Sequence, residues 1–177
     1  MTIKEILKTI FFSTETGEEK IKFGKGVLFF MLVCFVFVIP YDYSISVSEL
    51  LTALAKNFLM VFVMFFIVLL LIFGAAKMLR SQIKFENFFS NVNFYLGISL
   101  ILISVPAFII ALSVVKVFQN TTINLFLFSM IPYYTYVLFG WLCEKNSKLS
   151  GWRAVVVSVI AMTLIYLFHF SLKKIAF

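Results

Sequence analysis

The sequence predicts an all-α polytopic membrane protein, a bundle of about five transmembrane helices preceded by an N-terminal amphipathic interfacial helix. Three observations predict it. Hydrophobic residues make up 63% of the 177-residue chain and charged residues 13%, against roughly 45–50% and about 25% in soluble domains. Apolar runs of near-spanning length recur along the chain. Lys and Arg are distributed unevenly among the segments between those runs. The length suits one domain. A net charge of +7 would suit nucleic acid, but the basic residues are scattered between apolar runs, so no nucleic-acid partner is expected. Orientation in the bilayer and contact with anionic lipid are the roles expected of them.

The elements follow in chain order. Residues 1–20 read as a cytoplasmic amphipathic segment. Ile3, Ile6, Leu7, Ile10 and Phe11 form the apolar stripe of a short helix, which needs a membrane surface or the protein's own loops to hold it. Glu5, Glu15, Glu18 and Glu19 in the same stretch, with no long apolar run, argue against a cleavable signal peptide. Residues 21–177 then form the transmembrane domain, with spans expected at about 24–41, 58–76, 94–115, 123–143 and 152–172. The first is the weakest. Its apolar core Val27–Ile39 reaches roughly 20 Å, against a hydrocarbon thickness of about 30 Å. It spans only if Lys22 and Lys25 snorkel or the helix runs on past Pro40.

Charge distribution decides in its favour. With five spans, Lys4, Lys8, Lys20, Lys22, Lys25, Lys77, Arg80, Lys84, Lys145, Lys148 and Arg153 share one side. Lys56, Lys116, Lys173 and Lys174 share the other, a division of 11 against 4. Without the first span the division is 9 against 6. The positive side faces the cytoplasm. The expected location is therefore the cell membrane, multi-pass, with the N-terminus cytoplasmic and the C-terminus extracytoplasmic.

Small residues mark helix packing. Gly97, Ser104 and Ala111 recur along one stripe of the third span, and Ala154, Ser158 and Ala161 along the fifth; small groups let backbones approach closely in lipid. Between the second and third spans, Ile83, Phe85, Phe88, Phe89 and Val92 alternate with Lys84, Glu86, Asn87 and Asn91. That pattern predicts an interfacial segment along the cytoplasmic face. Pro106 and Pro132 fall in mid-span, each removing a backbone donor, and are expected to kink helices 3 and 4.

Reactive groups are sparse. Ionisable residues at membrane depth mark function, and the expected spans hold almost none. His169 sits near the outer end of the last span, where an interfacial histidine is favoured over a proton relay. Cys34 and Cys143 read as small apolar residues in helices. One histidine and two distant cysteines make no metal-ligand set, and no phosphate-binding glycine motif occurs. The chain is expected to be no enzyme and to need no cofactor.

Several segments together resemble the bacterial form of the Yip-domain family: Gly74-Ala75-Ala76-Lys77, Phe85…Phe88, Tyr95…Pro106, and the stretch from Tyr136 through Gly140-Trp141, Ser150-Gly151 and Arg153-Ala154. The resemblance covers most of residues 20–172. It implies a non-enzymatic integral membrane accessory or scaffold protein acting through a membrane-protein or lipid partner, in association with an ABC-type exporter. Candidate contact residues are Ile6, Phe11, Lys84, Phe85, Phe88 and Phe89. The expected partners are the lipid bilayer and a membrane protein or further copies of the chain. The alternative is a small transporter or lipid-handling protein with a cavity at the kinked helices 3 and 4.

Overall fold

Five α-helices account for most of the computed structural model, which describes residues 21–38, 47–104, 106 and 121–176. They are α1 (Phe23–Val38), α2 (Val47–Met78), α3 (Phe85–Ser99), α4 (Thr121–Asn146) and α5 (Trp152–Ala176). No strand occurs among the described residues. Helix α1 covers the weak first run. Helix α2 outruns its expected span at the N-terminal end, because Leu50–Lys56 is built of good helix formers (Leu, Ala, Lys) although it is less apolar. Within α2 and α5, Asn57–Met78 and Trp152–Leu172, at 22 and 21 residues, are long and apolar enough to cross a membrane.

The helices close a ring whose order differs from the chain order. Helix α1 packs against α3 and α2, α3 against α4, α4 against α5, and α5 against α2. Two crossings are close because a side chain is missing. A Cβ on Gly26 of α1 would lie 2.5 Å from Ser90 Cα of α3, and one on Gly140 of α4 would lie 2.5 Å from Met162 Cγ and 3.0 Å from the Ser158 carbonyl of α5. Small residues at a crossing let dispersion contacts accumulate between backbones.

The centre is aromatic. Phe65 of α2 is fully buried. It meets Phe30 and Phe37 of α1 at 5.6 and 5.4 Å, Phe139 of α4 at 5.9 Å and Phe168 of α5 at 5.7 Å between ring centroids. Offset and edge-on pairs of this kind each contribute about 0.5–1.5 kcal/mol beyond area burial. The backbones of α2 and α3 stand further apart, and rings bridge them. Phe66 meets Phe85 and Phe89, while Phe73 meets Phe85 and Phe88.

That bridging corrects the expectation for residues 83–92. They form no separate interfacial segment. Phe85–Val92 is the opening of α3, continuous with Phe94, and every residue from Phe88 to Gly97 is buried. An alternation of Phe with Lys and Asn fits a lipid surface and a Phe-lined helix equally well, and here α1 and α2 together supply the apolar surface.

Helix α3 runs on into a π-helical turn, Leu100–Ser104, which ends two residues before Pro106, itself helical and exposed. Pro106 has no N–H for the carbonyl of Leu102, and a wider turn is a known relief for that loss. Helix α4 runs from Thr121 to Asn146 with Pro132 inside it. Ile6, Phe11 and Ala111 lie outside the described residues.

Candidate functional site

The start of α1 and the two short connections, α2–α3 and α4–α5, meet at one end of the bundle. Helix α2 stops in a Schellman motif: Ser81 N–H donates to the Ala76 carbonyl and Arg80 N–H to the Lys77 carbonyl, both at 2.9 Å. The motif needs a left-handed residue at the position of Arg80, where glycine is usual, and Arg80 supplies it at φ 72°. Beyond the end of α4, Lys148 is likewise left-handed, at φ 54°. Gly151, at φ 60°, then opens α5, its carbonyl accepting from Ala154 N–H at 3.1 Å.

Hydrogen bonds stitch the two connections together. The Ser81 hydroxyl donates to the Ser147 carbonyl and accepts from Ile83 N–H at 3.2 Å. The Ser147 hydroxyl donates to the Glu144 carbonyl at 2.6 Å and accepts from Leu149 N–H at 3.4 Å. Deeper in, Asn91 Nδ2 of α3 donates to Asn146 Oδ1 of α4 at 3.0 Å. Asn146 Nδ2 donates to the Leu142 carbonyl at 2.9 Å, and Asn91 Oδ1 accepts from Ile21 N–H at 3.3 Å. Asn91, Asn146, Ser81 and Ser147 are all buried. Each such bond contributes about 0.5–1.5 kcal/mol net, and leaving a partner orphaned costs more.

Outside this lattice a cleft of about 620 Å³ opens between the connections. It is lined by Arg80 and Gln82 from one side and by Lys148, Leu149, Ser150, Trp152 and Arg153 from the other. The lining holds three cationic side chains and no carboxylate, so its potential is positive. The Arg153 guanidinium lies over the Trp152 ring at 5.7 Å. Lys77 turns aside: its Nζ donates to the Ser81 carbonyl at 3.1 Å and lies over Phe73. The cleft can hold a multivalent oxyanion, with guanidinium and ammonium donors backed by a neutral amide and hydroxyl.

The other anticipated residues fall as follows. Lys84 is exposed at the N-cap of α3, in extended conformation and without a side-chain cap. Phe85 is half-buried. Phe88 and Phe89 are 0% and 3% exposed, so they are interior packing residues and offer no surface to a partner. Gly97 packs against the Phe29 ring, and Ala154, Ser158 and Ala161 all face inward. Ser104 ends the π turn. His169 is buried, with Nδ1 2.6 Å from the Tyr136 hydroxyl. Cys34 and Cys143 are buried free thiols. Among the described residues no group of three or more His, Cys, Asp or Glu is placed to hold a metal.

Sequence reasoning counted Arg80, Lys148 and Arg153 only as topogenic charges. The two connections lie far apart in the chain, and the Ser81–Ser147 and Asn91–Asn146 bonds hold them together. The polar Asn-Ser pair closing α4 and Ser81 closing α2 were the available signals. The chain matches no protein-family model, no curated protein and no solved structure.

Proposed function

We propose that the chain is a five-span membrane protein acting as a non-enzymatic accessory or scaffold, through a membrane-protein or lipid partner such as an ABC-type exporter. One observation carries the reading: unlike a soluble bundle, this one is as apolar on its outward faces as in its interior, which also holds polar groups. The most enclosed helix, α3, bears Ser90, Asn91, Asn93 and Ser99 in its buried positions. The outward faces of α2 and α5 bear exposed Leu59, Val63, Ile67 and Leu71, and Val155, Val159, Leu167 and Phe170. In water such faces would be an aggregation liability; against lipid they are the natural solvent-facing side.

The orientation follows from the basic end. Hydrogen bonds gather the start of α1 and both short connections, the segments carrying Lys22, Lys25, Arg80, Lys84, Lys148 and Arg153. The positive-inside bias puts that end in the cytoplasm. The resemblance to the bacterial Yip-domain family points to the same accessory role.

Purification from the native membrane in a mild detergent tests the proposal. The expected result is a stoichiometric membrane-protein or lipid partner, with the chain resisting alkaline carbonate extraction. A chain that washes off in carbonate, or that runs repeatedly as a lone delipidated monomer, refutes it. Cysteines replacing Lys84 and Lys148 should label from the same side, and one replacing Lys116 from the opposite side.

A further inference from the structure

We propose that the cleft between the α2–α3 and α4–α5 connections binds the phosphate of an anionic phospholipid, with an acyl chain running down the outer face of α5. The inference rests on the membrane reading above.

Two observations separate this cleft from an ordinary solvated basic patch. The first is backbone conformation. Arg80 and Lys148 both occupy left-handed positions at φ 72° and 54°, just beyond the ends of two different helices and lining one cleft. Glycine would take either position with less strain. At both places a cation stands where conformation alone favours a residue without charge. With no carboxylate in the lining, the mutual repulsion of Arg80, Lys148 and Arg153 is relieved by a bound anion. Strained residues that converge on one cavity are a recognised mark of a binding site.

The second observation selects the lipid over a soluble phosphate, whose chemistry the cationic cleft would equally accept. Trp152 lines the cleft and is 66% exposed; Val155 and Val159, each 55% exposed, continue from it. Spacings of three and four residues put these side chains on one face of α5. An apolar track therefore leads directly away from the cationic lining. Tryptophan favours headgroup depth, and the Arg153 guanidinium over its ring holds the cation beside it. The Ser81–Ser147 bond ties the two sides of the cleft to each other, so little ordering cost accompanies binding.

Native mass spectrometry of the full chain in detergent tests this, with phosphatidylglycerol, phosphatidylcholine and inorganic phosphate as probes. The wild type should retain phosphatidylglycerol over phosphatidylcholine. The Arg80→Gly/Lys148→Gly double variant should lose roughly 10- to 30-fold of that preference, while its melting temperature stays level or rises because both turns relax. Arg153→Gln leaves both turns untouched and should also weaken retention. Equal retention of the two lipids by the wild type, or undiminished phosphatidylglycerol on either variant, overturns the proposal. Complete displacement of phosphatidylglycerol by millimolar inorganic phosphate overturns the lipid assignment, and retention in its presence supports it. Failure of carbonate resistance refutes the membrane reading itself; unselective lipid retention by a carbonate-resistant chain refutes only the cleft.

Discussion

Replacing Gly26 with Ala brings a methyl carbon to 2.5 Å from Ser90 Cα, with Ser90 Cβ and Oγ both at 2.7 Å. Carbon atoms rest at about 3.5–4.0 Å, so α1 and α3 must part locally by roughly 1 Å. The nearest atom is backbone, so no rotamer change relieves the contact. Parting the helices loosens the Phe29–Phe94 and Phe30–Phe89 ring pairs, at 4.7 and 5.1 Å, and the Ile21–Asn91 bond at 3.3 Å. Overpacking costs about 1–3 kcal/mol, against a helix-propensity gain of about 0.5–1 kcal/mol for losing glycine. The net expectation is a destabilisation of about 0–2.5 kcal/mol, centred near 1 kcal/mol. Gly24, on the same helix, has nothing within 4 Å of its Cβ position, so Gly24→Ala keeps only the gain. Thermal melts in one detergent should lower the melting temperature for Gly26→Ala, by roughly 2–4 °C per kcal/mol, and leave it level or raised for Gly24→Ala. Adding Ser90→Gly should restore only part of the loss, because Ser90 Cα remains. Equal melting temperatures for the two alanine variants would refute the close α1–α3 crossing.

Asn91→Leu leaves Asn146 Oδ1 buried without its donor and the Ile21 amide without its acceptor, so it should cost about 1–3 kcal/mol in a denaturant or thermal melt. The Asn91→Leu/Asn146→Leu double variant should recover part of that loss, since both ends of the shared bond are then apolar. Ser99 Oγ is buried with no hydrogen-bond partner; Ser99→Ala should therefore leave the melting temperature unchanged or raise it by the equivalent of about 1 kcal/mol.

What could be read ahead of the structure depended on whether the deciding contact was local. The uninterrupted apolar run inside α2 marks a helix on its own. The Ala154–Ser158–Ala161 stripe announces a packed face, because helical spacing alone puts those residues on one side. The opening of α3 was ambiguous for a physical reason. Its alternation records that one side needs apolar company, but not whether lipid or the Phe30, Phe66 and Phe73 rings provide it. The cleft was invisible for a related reason. Arg80 and Lys148 look like two surface charges until the serine and asparagine bonds between connections place them together, and left-handed conformation at a non-glycine residue leaves no reliable trace in composition.

The ring order governs how the chain is assembled. Helix α2 finds its lateral neighbour in α5, the last of the described helices, through Phe65 and Phe168. The seam between them stays open until α5 has been synthesised. Until then the Phe65 ring lacks one of its walls. Helix α5 is thus the clasp of the bundle. A chain truncated before Trp152 would lose the ring closure and one wall of the cationic cleft together.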